Sequence, residues 1–126
     1  MTAQKNNSVF FSVYKIVNQI PEGKVFTYGA ISKLISGRLT AQGVGWALNA
    51  LPEKPKQSAK DKPEFHSGNV PWHRVINAKG HTSTSKRPDM PSDQQRVMLE
   101  GEGVLFDLDG VVDLTKYLWH GPKPKS

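Results

Sequence analysis

The sequence predicts one mainly α-helical domain with short β elements, built around a helix-turn-helix. Apolar residues recur at three- and four-residue steps between residues 9 and 20, and two short helical patterns flank a glycine-containing turn at Ser36–Arg38. The predicted extended stretches are short. With 126 residues, the chain suffices for one hydrophobic core but not for two, so we expect a single domain over residues 1–126.

The first helix is expected from Val9 to Ile20. Its apolar residues share one face, which is typical of an amphipathic helix that packs on a core. Ser8 is the expected N-cap, because a serine hydroxyl can accept a hydrogen bond from a free backbone N–H group of the first turn. Pro21–Gly23 then break the chain, and Lys24–Thr27 form a short extended connection.

Two shorter helices are expected next, from Tyr28 to Ile35 and from Thr40 to Leu51. Their apolar positions fall on one face of each helix, and Ser36–Arg38 separate them. In a helix-turn-helix, the second helix enters a groove of DNA. The spacing alone is a weak signal, since two packed helices of an ordinary α-rich domain have the same pattern.

The second half of the chain alternates loops with short elements. Residues 52–69 are rich in Pro, Lys and Ser and predict an inserted surface loop, followed by an extended stretch at Val70–Ile76. Ser92 with Gln95 is a capping-box pattern, which predicts that a helix starts at Ser92. The DLDG sequence predicts a short hairpin or turn before the last apolar residues return to the core.

Composition excludes several kinds of chemistry. The chain has no cysteine, which removes disulfides, thiolate metal ligands and a sulfur nucleophile. Its four histidines lack a paired spacing, so we expect no metal site, and no glycine-rich loop predicts a nucleotide cofactor. Lys and Arg total 17 against 11 acidic residues, and the formal net charge of +6 favours a polyanionic partner such as nucleic acid.

The chain shows no targeting or membrane segment. The N-terminus has no apolar signal core, and no apolar run approaches the roughly 18 residues of a membrane span. We therefore expect no membrane partner and an intracellular protein that is not secreted, located in the nucleus if eukaryotic and otherwise in the cytoplasm.

The stretch NVPWHRVIN, residues 69–77, is the main site candidate. It presents His73 and Arg74 directly after a tryptophan that a proline orients. Glu102 is a candidate partner for His73, because a carboxylate would fix the imidazole tautomer and allow it to polarise a water molecule. The alternative is a core tryptophan, Trp72, beside ordinary surface groups.

Two further features suit a nucleic acid. Tyr28, with Thr27 before it, begins a predicted helix, where backbone N–H groups and the helix dipole favour a phosphate. Arg87 lies in a basic loop and could stack on a base. Each has a simpler alternative, a half-buried tyrosine and a solvated basic loop.

Five motifs, taken in order, resemble one family. VFTYGAIS, GVGWALNALP, VPWHRVIN with the following KG, SKR and LEGEGV are similar to the DNA-binding domain of the O6-alkylguanine DNA alkyltransferases, whose active-site motif is Pro-Cys-His-Arg-Val. Trp72 stands in place of that cysteine, which marks the alkyltransferase-like proteins. The resemblance covers roughly residues 9–120 and implies the winged helix-turn-helix-like fold of the alkyltransferase C-terminal domain.

The resemblance implies a role for each matching residue. Tyr28 would rotate the phosphate so that a damaged nucleotide leaves the stack, and the helix from Ala41 would lie in the minor groove. His73 and Glu102 match the proton relay of the transferases. The implied lesion pocket consists of Tyr28, Val70, Pro71, Trp72 and Arg87. The implied DNA contacts are Thr27, Tyr28, Ala41, Gln42, Gly43, Gly45 and Arg74.

The sequence departs from the transferases at two functional positions. Gln42 stands where the family usually has an arginine finger that fills the space left by the flipped base, and Arg38 upstream is a weaker substitute than Gln42 itself. At Trp72 the thiol is missing, and an indole is a poor alkyl acceptor at neutral pH. We therefore expect no enzyme activity, no catalytic residue and only a vestigial relay in His73 and Glu102.

The resemblance implies a non-enzymatic DNA damage sensor. It would bind duplex DNA as a monomer, flip O6-alkylguanine into a pocket and hold it without alkyl transfer, marking the lesion for nucleotide excision repair proteins. A helix-turn-helix transcription factor without lesion specificity is the main alternative. A hydrolase that uses His73 and Glu102 on water is the third.

Overall fold

The computed structural model describes residues 2–82 and 93–122. Within them, helices alternate with very short strands. The helices are α1 (Thr2–Val17), α2 (Tyr28–Leu34), α3 (Ala41–Asn49), α4 (Gln94–Gly101) and α5 (Leu114–Tyr117), and the strands are β1 (Phe26–Thr27) and β2 (Val75–Ile76). Helix α2 packs mainly on α3, and α1 packs on α3 from another side.

Helix α1 extends further toward the N-terminus than its apolar stripe predicts. It begins at Thr2, so Ser8 lies within the helix and its predicted role as N-cap is wrong. The buried face of α1 includes Val13, Tyr14 and Val17. The Tyr14 hydroxyl donates a hydrogen bond to the carbonyl of Ala47 in α3, and burial raises the pKa of Tyr14 to about 12, so the phenol stays protonated as a donor.

The predicted helix-turn-helix is present, with each helix slightly shorter than expected. Thr27 caps α2 through a hydrogen bond from the backbone N–H of Ala30, and Thr40 caps α3 through one from Gly43. The turn between them reverses through Ser36 and Gly37, both in the left-handed region with φ of 58° and 72°. Glycine adopts that conformation without steric cost, which explains why a glycine stands in this turn.

The stretch predicted to be extended, Val70–Ile76, is interrupted by a turn. Only Val75 and Ile76 form a strand, which pairs in parallel with β1 so that Phe26 faces Val75. Before it, Trp72–Arg74 form one turn of 3-10 helix. Proline cannot donate a backbone hydrogen bond, and Pro71, with φ −77° and ψ 63°, forms an inverse γ-turn instead of continuing a strand.

Residues 52–69 contain no helix or strand, but they are attached to the core. Phe65 is buried and packs edge-on against Phe11 of α1, with ring centroids 4.9 Å apart. The two ends of the segment are joined by a hydrogen bond from the Ser67 N–H to the Pro52 carbonyl, 2.9 Å. The segment is therefore a surface loop with one buried aromatic anchor.

The C-terminal part confirms the predicted turn, and its helix begins two residues later than predicted. Helix α4 begins at Gln94, and Ser92 lies outside the described residues. The Gln95 amide donates to the carbonyls of His73 and Val75, at 3.0 and 2.6 Å, which ties α4 to the 3-10 turn. An antiparallel bridge joins Phe106 to Val112 across the DLDG turn.

No helix in residues 2–82 and 93–122 is both long and apolar enough to cross a membrane.

We predict that Phe65→Ala lowers the free energy of unfolding by about 3 kcal/mol, because truncating a buried aromatic ring leaves a cavity between the loop and α1. Urea denaturation followed by circular dichroism measures this change. Lys60→Ala, at an exposed position of the same loop, is the control and should change the free energy of unfolding by less than about 0.5 kcal/mol. Equal effects of the two substitutions would contradict the anchoring of the loop by Phe65.

Candidate functional site

The structure brings His73 and Glu102 together, as the sequence predicts. Nε2 of His73 lies 2.6 Å from a carboxylate oxygen of Glu102, and both side chains are almost fully buried. His73 belongs to the 3-10 turn before β2, whereas Glu102 follows directly after α4. The hydrogen bonds of Gln95 to the 3-10 turn hold these two elements in place.

Arg74 joins the same pair, a contact that the sequence analysis missed. Its guanidinium donates to both carboxylate oxygens of Glu102, at distances of 2.8 to 3.2 Å. It also donates to the carbonyl of Ile20 at 2.8 Å. A guanidinium held in this way forms a strong charge-assisted fork, so the geometry gives Arg74 a structural role, and its predicted contact with DNA stays a prediction.

The Glu102 carboxylate accepts one more hydrogen bond, from the backbone N–H of Gly23 at 3.0 Å. Gly23 has φ of 82°, and a Cβ atom added there would lie 3.3 Å from the Glu102 carbonyl oxygen. This close approach in a left-handed conformation requires glycine. Glu102 therefore links the turn after α1 to the segment around His73.

These contacts fix the protonation states of the pair. Burial raises the pKa of Glu102, but hydrogen bonds from Arg74, from the Gly23 N–H and from His73 outweigh it and lower this pKa to about 2. Burial lowers the pKa of His73, against the opposing hydrogen bond and charge of Glu102. At neutral pH, an ionised Glu102 thus accepts a hydrogen bond from the protonated Nε2 of a neutral His73.

The second ring nitrogen of His73 is oriented differently. Nδ1 is buried and has no hydrogen-bond partner among residues 2–82 and 93–122. With Nε2 protonated toward Glu102, Nδ1 carries a lone pair and can only accept a hydrogen bond. The pair therefore holds His73 in one tautomer, in which Nε2 is the hydrogen-bond donor and Nδ1 is the acceptor.

Trp72 stands next to this histidine. Its indole is half-buried, packs against the hydrophobic core and meets the His73 ring edge-on with centroids 6.1 Å apart. The γ-turn at Pro71 orients it, with the Trp72 N–H donating to the Val70 carbonyl at 2.7 Å. Indole offers neither a thiolate nor another strong nucleophile, so Trp72 places an aromatic surface beside His73.

An open cavity of about 390 Å³ lies beside the same turn. Its lining includes four predicted site residues, Val70, Pro71, His73 and Arg74. Asn18, directly after α1, and Met98 of α4 form other parts of its wall. Trp72 and Tyr28 do not line this cavity, although both pack on the surface of the same core cluster.

Tyr28 and Thr27 lie at the start of α2, as predicted. The Thr27 hydroxyl is used as the helix cap and accepts the Ala30 N–H at 3.2 Å. The half-buried ring of Tyr28 lies alongside α3, where a Cβ atom added at Gly45 would be 3.8 Å from it. The Tyr28 ring and α3 therefore lie close together at Gly45.

The four predicted contacts on α3 divide between two faces. Ala41 and Gln42 are exposed and Gly45 is partly exposed, so these positions are accessible to DNA. Gly43 is buried, and a Cβ atom there would lie 3.1 Å from the Leu39 side chain. Its small size accommodates the Leu39 side chain, and at this buried position it presents little surface to a ligand.

Two arginines remain. Arg87 lies outside the described residues, so its predicted place in the lesion pocket stays a prediction. Arg38 donates to the carbonyl of Ile35 and to the hydroxyl of Ser12, at 3.2 and 3.1 Å. These bonds tie the turn of the helix-turn-helix to α1, which leaves Gln42 as the candidate finger.

Within residues 2–82 and 93–122, no group of three or more His, Cys, Asp or Glu side chains could hold a metal ion.

A helix-turn-helix beside a buried His–Glu–Arg network defines a class of DNA-binding domain. Residues 8–104, well over half of the chain, match the family model of the 6-O-methylguanine DNA methyltransferase, DNA binding domain, and the chain belongs to this family. The predicted family and the predicted fold class are thereby confirmed.

Two relatives are similar to this chain over most of its length. The chain is 37% identical over 117 residues to the DNA base-flipping protein of Escherichia coli K12, covering 93% of this chain and 78% of that protein. It is 36% identical over 115 residues to Alkyltransferase-like protein 1 of Schizosaccharomyces pombe, covering 87% and 93%.

Solved structures of alkyltransferase-like and methyltransferase proteins also match this fold. The structure of Schizosaccharomyces pombe Atl1 in complex with damaged DNA containing O6-carboxymethylguanine matches with a TM-score of 0.64 at 36% identity, covering 94% of this chain and 97% of that one. The O6-methylguanine methyltransferase of Mycobacterium tuberculosis matches with a TM-score of 0.54 at 26% identity, covering 75% and 47%.

We predict that Glu102→Gln destabilises the fold by about 3 kcal/mol at pH 7, because it leaves the Arg74 charge without its buried partner. The folded chain protonates Glu102 near pH 2 and the unfolded chain near the usual 4.5, so lowering the pH through this interval favours unfolding of the wild type. The difference between the two proteins should therefore shrink as the pH falls from 4.5 toward 2.

Denaturant melts at a series of pH values measure this difference. Glu100→Gln is the matched control, since Glu100 is half-exposed and forms only a surface pair with Arg96. Its effect should stay below about 0.5 kcal/mol at every pH. A difference between wild type and Glu102→Gln that is independent of pH would contradict the assigned charge state.

Proposed function

We propose that this protein is a non-enzymatic sensor of alkylated DNA, which flips O6-alkylguanine out of the duplex and holds it without transferring the alkyl group. One observation carries the proposal. A complete and rigid His73–Glu102 pair stands next to Trp72, in a chain that contains no cysteine. The proton relay of a transferase is thus retained beside a residue that cannot accept an alkyl group.

Recognition by base flipping follows from the position of the damage. The exocyclic oxygen of guanine lies in the base-pairing region, so a protein can inspect an alkyl group there only after the nucleotide leaves the stack. An alkylated guanine pairs poorly, which lowers the cost of extrusion relative to an intact base. The names and DNA complexes of the relatives, a base-flipping protein and an alkyltransferase-like protein bound to damaged DNA, support this mode.

Each site residue receives a distinct role. Tyr28, at the start of α2, would displace the phosphate of the target nucleotide, and the exposed Gln42 of α3 would occupy the vacated space and bond to the orphaned base. Glutamine lacks the charge of arginine, so this finger would act through hydrogen bonds alone. Trp72 would contact the flipped base, and Arg87 would stack on it.

The absence of transfer follows from the chemistry of the side chains. Alkyl transfer requires a nucleophile to attack the alkyl carbon while the bond to the guanine oxygen breaks. His73 is neutral, but its Nε2 is protonated toward Glu102, and its Nδ1 is buried. The pair is then a scaffold that holds the His73 ring in one orientation beside Trp72.

We further propose that the bound complex marks the lesion for nucleotide excision repair and that the protein acts as a monomer. A protein that holds damage without repairing it is useful only if another system removes it. A helix-turn-helix transcription factor is disfavoured because α3 has no Arg or Lys, the usual side chains that recognise guanine in the major groove.

We predict that a duplex with one O6-methylguanine binds at least about tenfold more tightly than the same duplex without it, since the lesion lowers the cost of flipping. Fluorescence anisotropy titration measures both affinities, and both should fall as salt rises. Mass spectrometry after incubation should show no alkyl group on the protein and the O6-methyl group still on the DNA. Equal affinities would refute sensing, transferred alkyl groups would refute passive binding, and a dealkylated base would indicate hydrolysis.

We predict that Tyr28→Ala and Trp72→Ala reduce the preference for the lesion by about tenfold or more, because each removes a ring that acts on the flipped nucleotide. The matched variants Tyr28→Phe and Trp72→Phe keep a ring of similar shape and should retain most of the preference. The measurement is the ratio of the two dissociation constants for each variant. If the alanine variants keep the wild-type ratio, these two residues do not form the lesion site.

A further inference from the structure

Trp46 is a large aromatic residue that the described fold leaves in solvent. It lies on α3 with 61% of its surface exposed, although the opposite face of the same helix, with Val44 and Ala47, is completely buried. Exposed aromatic side chains of this size often mark a binding surface, because burying so much apolar surface against a partner is favourable. No role for Trp46 follows from the motifs of the sequence.

The position of Trp46 connects it to the candidate DNA-binding face. It follows Gln42 by four residues, so the two side chains share one face of α3. The neighbouring residue, Gly45, lies against the Tyr28 ring. Trp46 therefore extends the surface formed by the proposed finger and the proposed phosphate-displacing tyrosine.

Helix α3 also lacks every charged residue. Its sequence AQGVGWALN contains no Lys, Arg, Asp or Glu, so it can form no ion pair with a phosphate. A helix that enters a DNA groove without charge must gain its binding free energy from apolar and hydrogen-bonding contacts. Among its exposed residues, Trp46 has by far the largest apolar surface.

The shape of DNA gives this surface a specific use. The minor groove is about 6 Å wide, whereas a helix with its side chains is about 10 Å across, so a helix enters only if the groove widens and the duplex bends. Proteins that bend DNA in this way insert apolar side chains against the sugars and base steps. Such contacts stabilise the widened groove without identifying a base.

We propose that Trp46 is a minor-groove contact that packs on the deoxyribose edges one helical turn from Gln42 and holds the groove open. The inference rests on the proposed function, and adds a residue that acts on DNA shape. Trp46 contributes to the affinity for every duplex, damaged or intact, whereas Tyr28 and Trp72 contribute to the preference for the lesion.

The test compares Trp46→Ala with wild type on the lesion duplex and on the intact duplex. Both dissociation constants should rise by a similar factor of about five to ten, the low end of what an aromatic contact with nucleic acid provides. The slope of log affinity against log salt should stay the same, because an indole displaces no counterions. Leu108→Ala, at a fully exposed position of the C-terminal turn, is the control and should leave both constants unchanged.

Two further measurements make the test specific. Energy transfer between dyes at the duplex ends should report a smaller bend with Trp46→Ala than with wild type. Trp46→Phe should keep part of both the affinity and the bend, since a smaller ring still fills the groove. Thermal melting of both variants should match that of wild type, because the indole is mostly in solvent.

The outcomes separate the inference from the proposed function. If wild type does not prefer the lesion duplex, the proposed function fails, whatever Trp46 does. If wild type prefers it and Trp46→Ala binds both duplexes as wild type does, the role of Trp46 is refuted. A loss confined to the lesion duplex would instead place Trp46 in the lesion pocket. Sedimentation that shows dimers in wild type and monomers in Trp46→Ala would assign this face to a second copy of the chain.

Discussion

The site depends on one buried carboxylate. Glu102 accepts hydrogen bonds from His73, from Arg74 and from the Gly23 backbone, and Arg74 extends the network to the Ile20 carbonyl. These groups come from the turn after α1, from the turn before β2 and from the end of α4. A buried charge is costly unless several donors satisfy it, so these segments have little freedom to move apart. The network thereby fixes where Trp72 stands relative to the helix-turn-helix.

This arrangement is consistent with the proposed binding function in a family that also contains methyltransferases. The His–Glu pair and its arginine have structural functions that do not require a thiol, so they stay necessary when the nucleophile is absent. In the proposed function, Trp72 changes the chemistry of the position beside His73 without changing the network that supports it. A rigid aromatic wall at that point favours a planar base, since aromatic rings stack on any base with little loss of side-chain entropy.

The sequence predicts what is local or what belongs to a motif. The apolar stripes located α1, α2 and α3 because the helical period is explicit in the order of residues, and the order of motifs located His73 and Glu102. The contacts of Arg74 and Gln95 were missed, since no local pattern predicts that a side chain will bond to a backbone carbonyl that is distant in sequence. The start of α1 was wrong for another reason: a favourable cap at Ser8 does not prevent a helix from beginning earlier.

The uncharged α3 also bears on how such a protein finds damage. The chain has a formal net charge of +6, which favours DNA without regard to sequence. Helix α3, which is proposed to enter the groove, has no cation to fix the protein at one site. Recognition by arginine of base edges would hold the protein at preferred sequences and slow its search. In the proposed complex, a groove contact made by Gln42 and the Trp46 indole would respond to how easily the duplex opens and bends, and a mispaired alkylguanine is a place where the duplex opens easily. Weak reading of sequence is then a requirement of the function, since a lesion can occur at any guanine.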